Sequence, residues 1–286
     1  MKLPFNIRLP EVLRLARPKQ WVKNGFVLAP LMFAREFRDL QAVGHALAAV
    51  GLFCVASSAT YVLNDLRDIE RDRGHPVKRW SRPLAAGTVK PAAAIALLVA
   101  LYALLVVSAF WSPRTMAVIA AYLALNFAYS FWLKHQPVLD IFSVAIGFVL
   151  RIYAGAVAIA VPLSNWMAIT TLCLALYLAA IKRRQELAIA GSGSREVLRR
   201  YSVALVDRYA EISAVGALIF YSLYVMSSGN DRLGFTIPLV IFGLFRYWYV
   251  VEALEGGESP TDVAVTDSPL IATVVLWVGV CLYALA

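Results

Sequence analysis

The chain is 286 residues long, 60% apolar and only 16% charged, against roughly 45–50% and about 25% in soluble domains. Together with a mean hydropathy of +0.69, this excludes an ordinary cytosolic enzyme, a disordered chain and a secreted disulfide scaffold. The 27 Lys and Arg outnumber 18 Asp and Glu, for a net charge of +9. Because they are scattered between long apolar runs, they point to a multi-span membrane protein with a basic face acting on anionic lipids or phosphates, and not to a nucleic-acid binder.

In chain order, Glu11-Val-Leu-Arg-Leu-Ala-Arg17 mixes apolar and basic residues and stops at Pro18. It reads as an interfacial helix within an N-terminal segment, 1–20. Nine apolar segments then approach the roughly 20 residues that a bilayer-crossing helix needs. They are 21–34 (short, and containing Pro30), 43–64, 92–111, 115–133, 138–161, 165–181, 209–228, 233–252 and 268–286. A polar, basic N-terminus before a retained span predicts no cleavable signal peptide. With the N-terminus in the cytosol, 21 of the 27 basic residues fall on that side and four on the other, while Arg151 and Arg246 lie within spans. The basic excess therefore predicts a cytosolic N-terminus and an external C-terminus in the cell (inner) membrane. Outer connections are a few residues long, whereas the inner ones, 65–91, 134–137, 182–208 and 253–267, hold nearly all the polar chemistry. The expected architecture is all-α: one integral membrane domain, 1–286, with 65–91 and 182–208 as cytosolic cap loops.

Cys54, Cys173 and Cys281 stand singly in apolar sequence and His45, His75 and His135 are scattered, so neither a disulfide framework nor a zinc site is predicted. The ordered polar motif follows the second span. There Asn64, Asp68 and Asp72 are spaced i, i+4, i+8, and Asp65 stands three before Asp68. If the helix continues, all four share a face, and carboxylates at that spacing repel unless a cation compensates them. Carboxylate and amide oxygens suit Mg²⁺, whose remaining positions go to water and substrate phosphates. The plain alternative is a solvated, charged helix end. Arg151 lies deep in an apolar run, where an unpaired cation is costly, so an inward-facing functional arginine is expected, with a purely structural salt bridge as the alternative. Arg246 is open to two readings, snorkelling to the inner surface or binding substrate.

The pattern Asn64-Asp65-x-x-Asp68-x-x-x-Asp72, followed by Arg82-Pro-Leu-Ala-Ala-Gly87, resembles the first signature of the UbiA-type intramembrane prenyltransferase superfamily. The resemblance implies a nine-helix bundle around a central cavity open to the cytosol and lipid, with Asn64, Asp65, Asp68 and Asp72 binding Mg²⁺ on a diphosphate. Most of that superfamily carries a second aspartate-rich motif after the sixth helix. This chain has Lys182-Arg-Arg-Gln-Glu-Leu187 instead, which is similar to the polyprenyl-phosphate phosphoribosyltransferase branch. Arg17-Pro-Lys-Gln-Trp-Val-Lys-Asn24, Leu133-Lys-His-Gln136, Arg151, Arg246-Tyr247 and the loop with Pro260, Asp262 and Asp267 extend the likeness over nearly the whole chain.

That branch implies attack by a polyprenyl phosphate, such as decaprenyl phosphate, on C1 of 5-phosphoribosyl 1-diphosphate, with pyrophosphate leaving, in making a cell-envelope glycolipid precursor. Gathering two polyanions needs metal for the leaving group and fixed cations for the rest. The resemblance makes Asp65, Asp68, Asp72, Lys182 and Arg183 the catalytic candidates. Lys19, Lys23, Tyr61, Asn64, Lys78, Arg79, Arg82, Lys134, Arg151, Glu186, Arg246 and Asp262 are the substrate-binding ones. Glu186 either orients Lys182 or meets a ribose hydroxyl. Besides the two substrates, membrane lipids are the expected partners, and a homo-oligomer stays open. The rivals are a prenyltransferase moving an isoprenyl group onto an aromatic acceptor, and a transporter of anionic lipid or phosphate.

Overall fold

The computed structural model describes residues 10–74, 78–189, 196–253, 263 and 266–286, and the regular structure among them is entirely helical. Helix α1 (Glu11–Leu15) leads to Arg17, whose φ of 51° redirects the chain into a 3-10 stretch, Pro18–Leu28, that continues as α2 (Ala29–Phe33). The sequence from 40 to 158 then forms α3 (Leu40–Arg67), α4 (Ile69–Arg73), α5 (Lys78–Ser81), α6 (Pro91–Ser108), α7 (Pro113–Phe131) and α8 (Leu139–Ala158). The remainder supplies α9 (Asn165–Ile189), α10 (Val203–Ser227), α11 (Ile237–Ala253) and α12 (Ser268–Leu285). Pro91 and Pro113 open α6 and α7 where a missing N–H costs nothing. Asp39, Ser202 and Asp267 cap α3, α10 and α12 by accepting backbone N–H bonds from Gln41, Leu205 and Leu270.

Among the described residues, seven helices are long and apolar enough to cross a membrane. Two of the nine expected spans fall short of that. Residues 21–34 do not form one α-helix: they are shared between the 3-10 stretch and five-residue α2, because Pro30 removes a backbone donor near the junction. Helix α7 has the length, at 19 residues, but Arg114, Asn126 and Ser130 dilute its apolar character. Two inner boundaries also shift. Helix α3 reaches Arg67, which carries Asn64 and Asp65 in its last turns, and α9 reaches Ile189, so Lys182–Glu186 are helical instead of part of a cap loop.

The packing has two main centres. Helices α9 and α10 are the most extensively paired, around Tyr177, Ile181, Val206 and Tyr247. Helices α3, α7 and α8 close on the 3-10 stretch around Phe53, Ile119, Tyr122 and Val27. There a methyl on Gly155 would stand 1.9 Å from the Val27 carbonyl oxygen, so only glycine admits that backbone approach. Facing outward, Val99, Val106, Ile212, Phe245 and Val275 are exposed, as lipid-facing residues are. The hydrogen bond from Ser130 to Asn64 and the cluster around Asp140, Arg183 and Tyr201 gather the ends of α3, α7 and α9 and the starts of α8 and α10 into one polar end.

Candidate active site

At the polar end the acidic motif keeps its helical spacing although α3 stops at Arg67. The Asp68 N–H donates to the Asn64 carbonyl at 2.9 Å, and the Asp72 N–H to the Asp68 carbonyl at 2.8 Å. The side chains diverge nonetheless. Asn64 accepts from the Ser130 hydroxyl at 2.9 Å, toward α7. Asp65, one residue on and so roughly 100° around the helix, is buried against the N-terminal segment. Its Oδ1 accepts from Arg17 and, at 2.9 Å, from Arg82. Arg17 in turn lies over the Tyr61 ring, 4.6 Å from its centroid. Asp68 faces Arg67 at 3.4 Å, and buried Asp72 faces Lys78 at 3.7 Å. Among the described residues, no three Asp, Glu, His or Cys side chains stand close enough to share a metal ion, so the four motif residues do not form a single ready-made cage.

The donor chemistry still suits a hard cation. The motif offers four oxygen-bearing side chains, and Asp65 Oδ2 is buried without a hydrogen-bond partner among the described residues. Such an acceptor is costly to leave unmet, and a bound cation would satisfy it.

Across the polar end, Arg183 is turned inward and only 3% exposed. Its Nε donates to Asp140 Oδ2 at 2.6 Å, Nη1 to Glu186 and Nη2 to the Tyr129 hydroxyl at 3.1 Å. Asp140 is fully buried, and its Oδ1 accepts from the Tyr201 hydroxyl at 2.7 Å. The Tyr201 oxygen accepts the Val138 N–H at 2.6 Å. Burial raises the Tyr201 phenol well above its ordinary pKa, so it stays a protonated donor. Lys182, the residue before Arg183 on α9, is partly buried. Arg184 instead ties α9 to α10 and α11 through Asp207 and Glu252.

Arg151 sits deeper, 5% exposed. Its Nε donates to Asn24 at 2.9 Å, Nη1 to the Gly147 carbonyl at 2.8 Å and Nη2 to Tyr122 at 3.1 Å. The rings of Phe53, Tyr122 and Phe148 surround the guanidinium at 5.6, 4.9 and 5.1 Å. Among the described residues no carboxylate pairs with it, so neutral dipoles and ring faces carry that charge.

The other expected residues spread around the polar end. Lys19 is exposed, while Lys23 and Lys134 are partly buried. Arg79 lies on the Trp80 ring at 4.9 Å. Arg246 forms a two-pronged bond to Asp267, at 3.1 and 2.8 Å, and this holds the Asp267 carboxyl below the usual carboxylate range. Asp262 lies outside the described residues. Sequence reasoning misses Asp140, Tyr201 and Asn24 as members of these networks. Asp140 carries the same signal that singles out Arg151, a charge inside an apolar run, but its place at a predicted span's start makes it look like a solvated helix end.

The UbiA prenyltransferase family model matches residues 26–261. The chain is 36% identical over 282 residues to the decaprenyl-phosphate phosphoribosyltransferase of Corynebacterium glutamicum, covering 93% of this chain and 84% of that protein. It is 33% identical over 288 residues to the enzyme of the same name from Mycolicibacterium smegmatis, covering 94% and 90%. A solved UbiA homologue from Archaeoglobus fulgidus, bound to GPP and Mg²⁺, superposes with a TM-score of 0.73 at 18% identity, over 96% of this chain and 99% of that one. The chain belongs to the UbiA prenyltransferase family and is a multi-pass membrane protein.

Proposed function

We propose that this protein is a Mg²⁺-dependent polyprenyl-phosphate phosphoribosyltransferase whose polar end faces the cytosol within nine spans. The observation that carries the reading is similarity, at 33% and 36% identity over nearly the whole chain, to two relatives named for that reaction. The basic run at the end of α9, where most of the superfamily has acid, supports it from the site. An oxygen of the lipid phosphate forms a bond to C1 of phosphoribosyl diphosphate, the bond from C1 to the diphosphate breaks, and pyrophosphate leaves. The acceptor is already an anion near neutral pH, so no strong general base is required.

Asn64, Asp65, Asp68 and Asp72 would hold Mg²⁺, which supplies charge neutralisation to the leaving diphosphate. Arg17, Arg82 and Lys78, which neutralise Asp65 and Asp72, stand where they can exchange those carboxylates for substrate phosphates. Lys182 and Lys134 supply point charges from the other side, with Lys19, Lys23 and Arg79 nearer the membrane surface. Glu186, presented by Arg183, meets a sugar hydroxyl. Arg151 fixes Asn24 and the 3-10 stretch that bears Lys19 and Lys23.

Purified protein given labelled phosphoribosyl diphosphate, a polyprenyl phosphate and Mg²⁺ should release pyrophosphate only when the lipid is present. Turnover confined to an isoprenyl diphosphate with an aromatic acid would overturn the proposal.

A further inference from the structure

The cluster around Asp140 is built more heavily than anchoring a helix end requires. A buried ion pair is a poor source of stability, since well-packed apolar residues usually serve as well or better. Here the pair bridges several segments. One carboxylate oxygen of Asp140 fixes Arg183 at the end of α9, and the other fixes Tyr201, just before α10. Through Tyr201 it also holds the N–H of Val138, a β-branched residue at φ 69° that follows the turn bearing Lys134. Arg183 then reaches Glu186 on its own helix and Tyr129 on α7. Exposure rises outward along this chain of contacts, with side chains at 0% for Asp140, 3% for Arg183 and 24% for Glu186.

We infer that Asp140 is a positioning residue. Acting through Arg183, it sets the Glu186 carboxylate to accept a hydrogen bond from a hydroxyl of the pentose donor, and acting through Tyr201 it holds the Lys134 turn beside it. The inference rests on the reading given under Proposed function. Its chemistry is that of an acceptor-only carboxylate, which suits a neutral sugar hydroxyl and repels a phosphate. The Arg183 cation, engaged by two carboxylates, serves orientation.

The test uses full-length Asp140→Asn, Glu186→Gln, the double variant and Tyr201→Phe, each checked for native thermal unfolding in detergent. Steady-state kinetics are measured with phosphoribosyl diphosphate and with analogues lacking the 2- or 3-hydroxyl. Asp140→Asn and Glu186→Gln should each raise the donor KM by about 10- to 100-fold, leave the lipid KM within about twofold, and erase discrimination against one deoxy analogue. The double variant should be no worse than the weaker single one, because contacts acting in series are not additive. If Asp140→Asn fails to fold, Tyr201→Phe, which retains the ion pair, should still raise the donor KM. Losses that multiply in the double variant, or a folded Asp140→Asn or Tyr201→Phe with an unchanged donor KM, would overturn the inference. Wild-type protein that never turns over phosphoribosyl diphosphate would instead overturn the proposed reaction.

Discussion

Asp68 is the most exposed carboxylate of the acidic motif, its side chain 31% exposed against 4% for Asp65 and 9% for Asp72. Among the described residues its carboxylate meets the neighbouring Arg67, at 3.4 Å, whereas Asp65 is clamped by two arginines. Asp68→Ala should therefore leave the fold intact and lower product formation by about a hundredfold or more, as loss of a group serving the leaving-group charge does. Pyrophosphate release alongside thermal unfolding checks this, and near-normal turnover would contradict the metal assignment. Arg151 predicts the reverse balance. Replacing it with Met removes a charge that no described carboxylate pairs with, but strips the Asn24 amide oxygen and the Tyr122 hydroxyl of this donor, while the Gly147 carbonyl keeps its helical bond. Arg151→Met should cost about 1–3 kcal/mol of stability through unmet acceptors. A thermal midpoint in detergent equal to that of the wild type would contradict this.

At the level of elements, the tightest joint is α8 against the 3-10 stretch. Gly155→Ala would drive a methyl into the Val27 carbonyl and should destabilise by about 1–3 kcal/mol. Gly279→Ala in α12, where nothing stands within 4 Å, should be neutral or slightly stabilising. Equal unfolding midpoints for the two variants would contradict the joint. The bond between α11 and the α12 cap carries a pH dependence. The Arg246 hydrogen bonds depress the Asp267 pKa, so its stabilisation is present above the ordinary carboxylate range and is lost as pH falls through the lowered value. The stability advantage of wild type over Asp267→Asn should hold near neutrality and vanish in acid.

These elements also mark where sequence reasoning succeeds and stops. Hydropathy finds a helix such as α6 or α12 because its residues are apolar over the whole length needed to cross a bilayer. It does not find the 3-10 character of Pro18–Leu28, which accompanies Arg17 at positive φ and the close approach of Gly155 to Val27. Periodicity puts Asn64, Asp68 and Asp72 in one register, and backbone hydrogen bonds keep it. It does not reveal that Asp65 turns to Arg17 and Arg82, since those contacts span 48 and 17 residues of sequence. The Asp140–Arg183 pair is hidden in the same way, by 43 residues of separation.

On the scale of the whole molecule, the proposed orientation puts 21 of the 27 basic residues on the cytosolic side of the bilayer. With the three native cysteines replaced by Ala, Asp231→Cys should react with a membrane-impermeant thiol reagent added to intact cells, and Ser81→Cys should react only after lysis. The opposite pattern would invert that orientation. The most direct test of the proposed reaction is the mass of the lipid product. After incubation with phosphoribosyl diphosphate and Mg²⁺, the polyprenyl phosphate should gain one phosphoribosyl group for each pyrophosphate released. An unchanged lipid, or pyrophosphate released without that gain, would contradict the account.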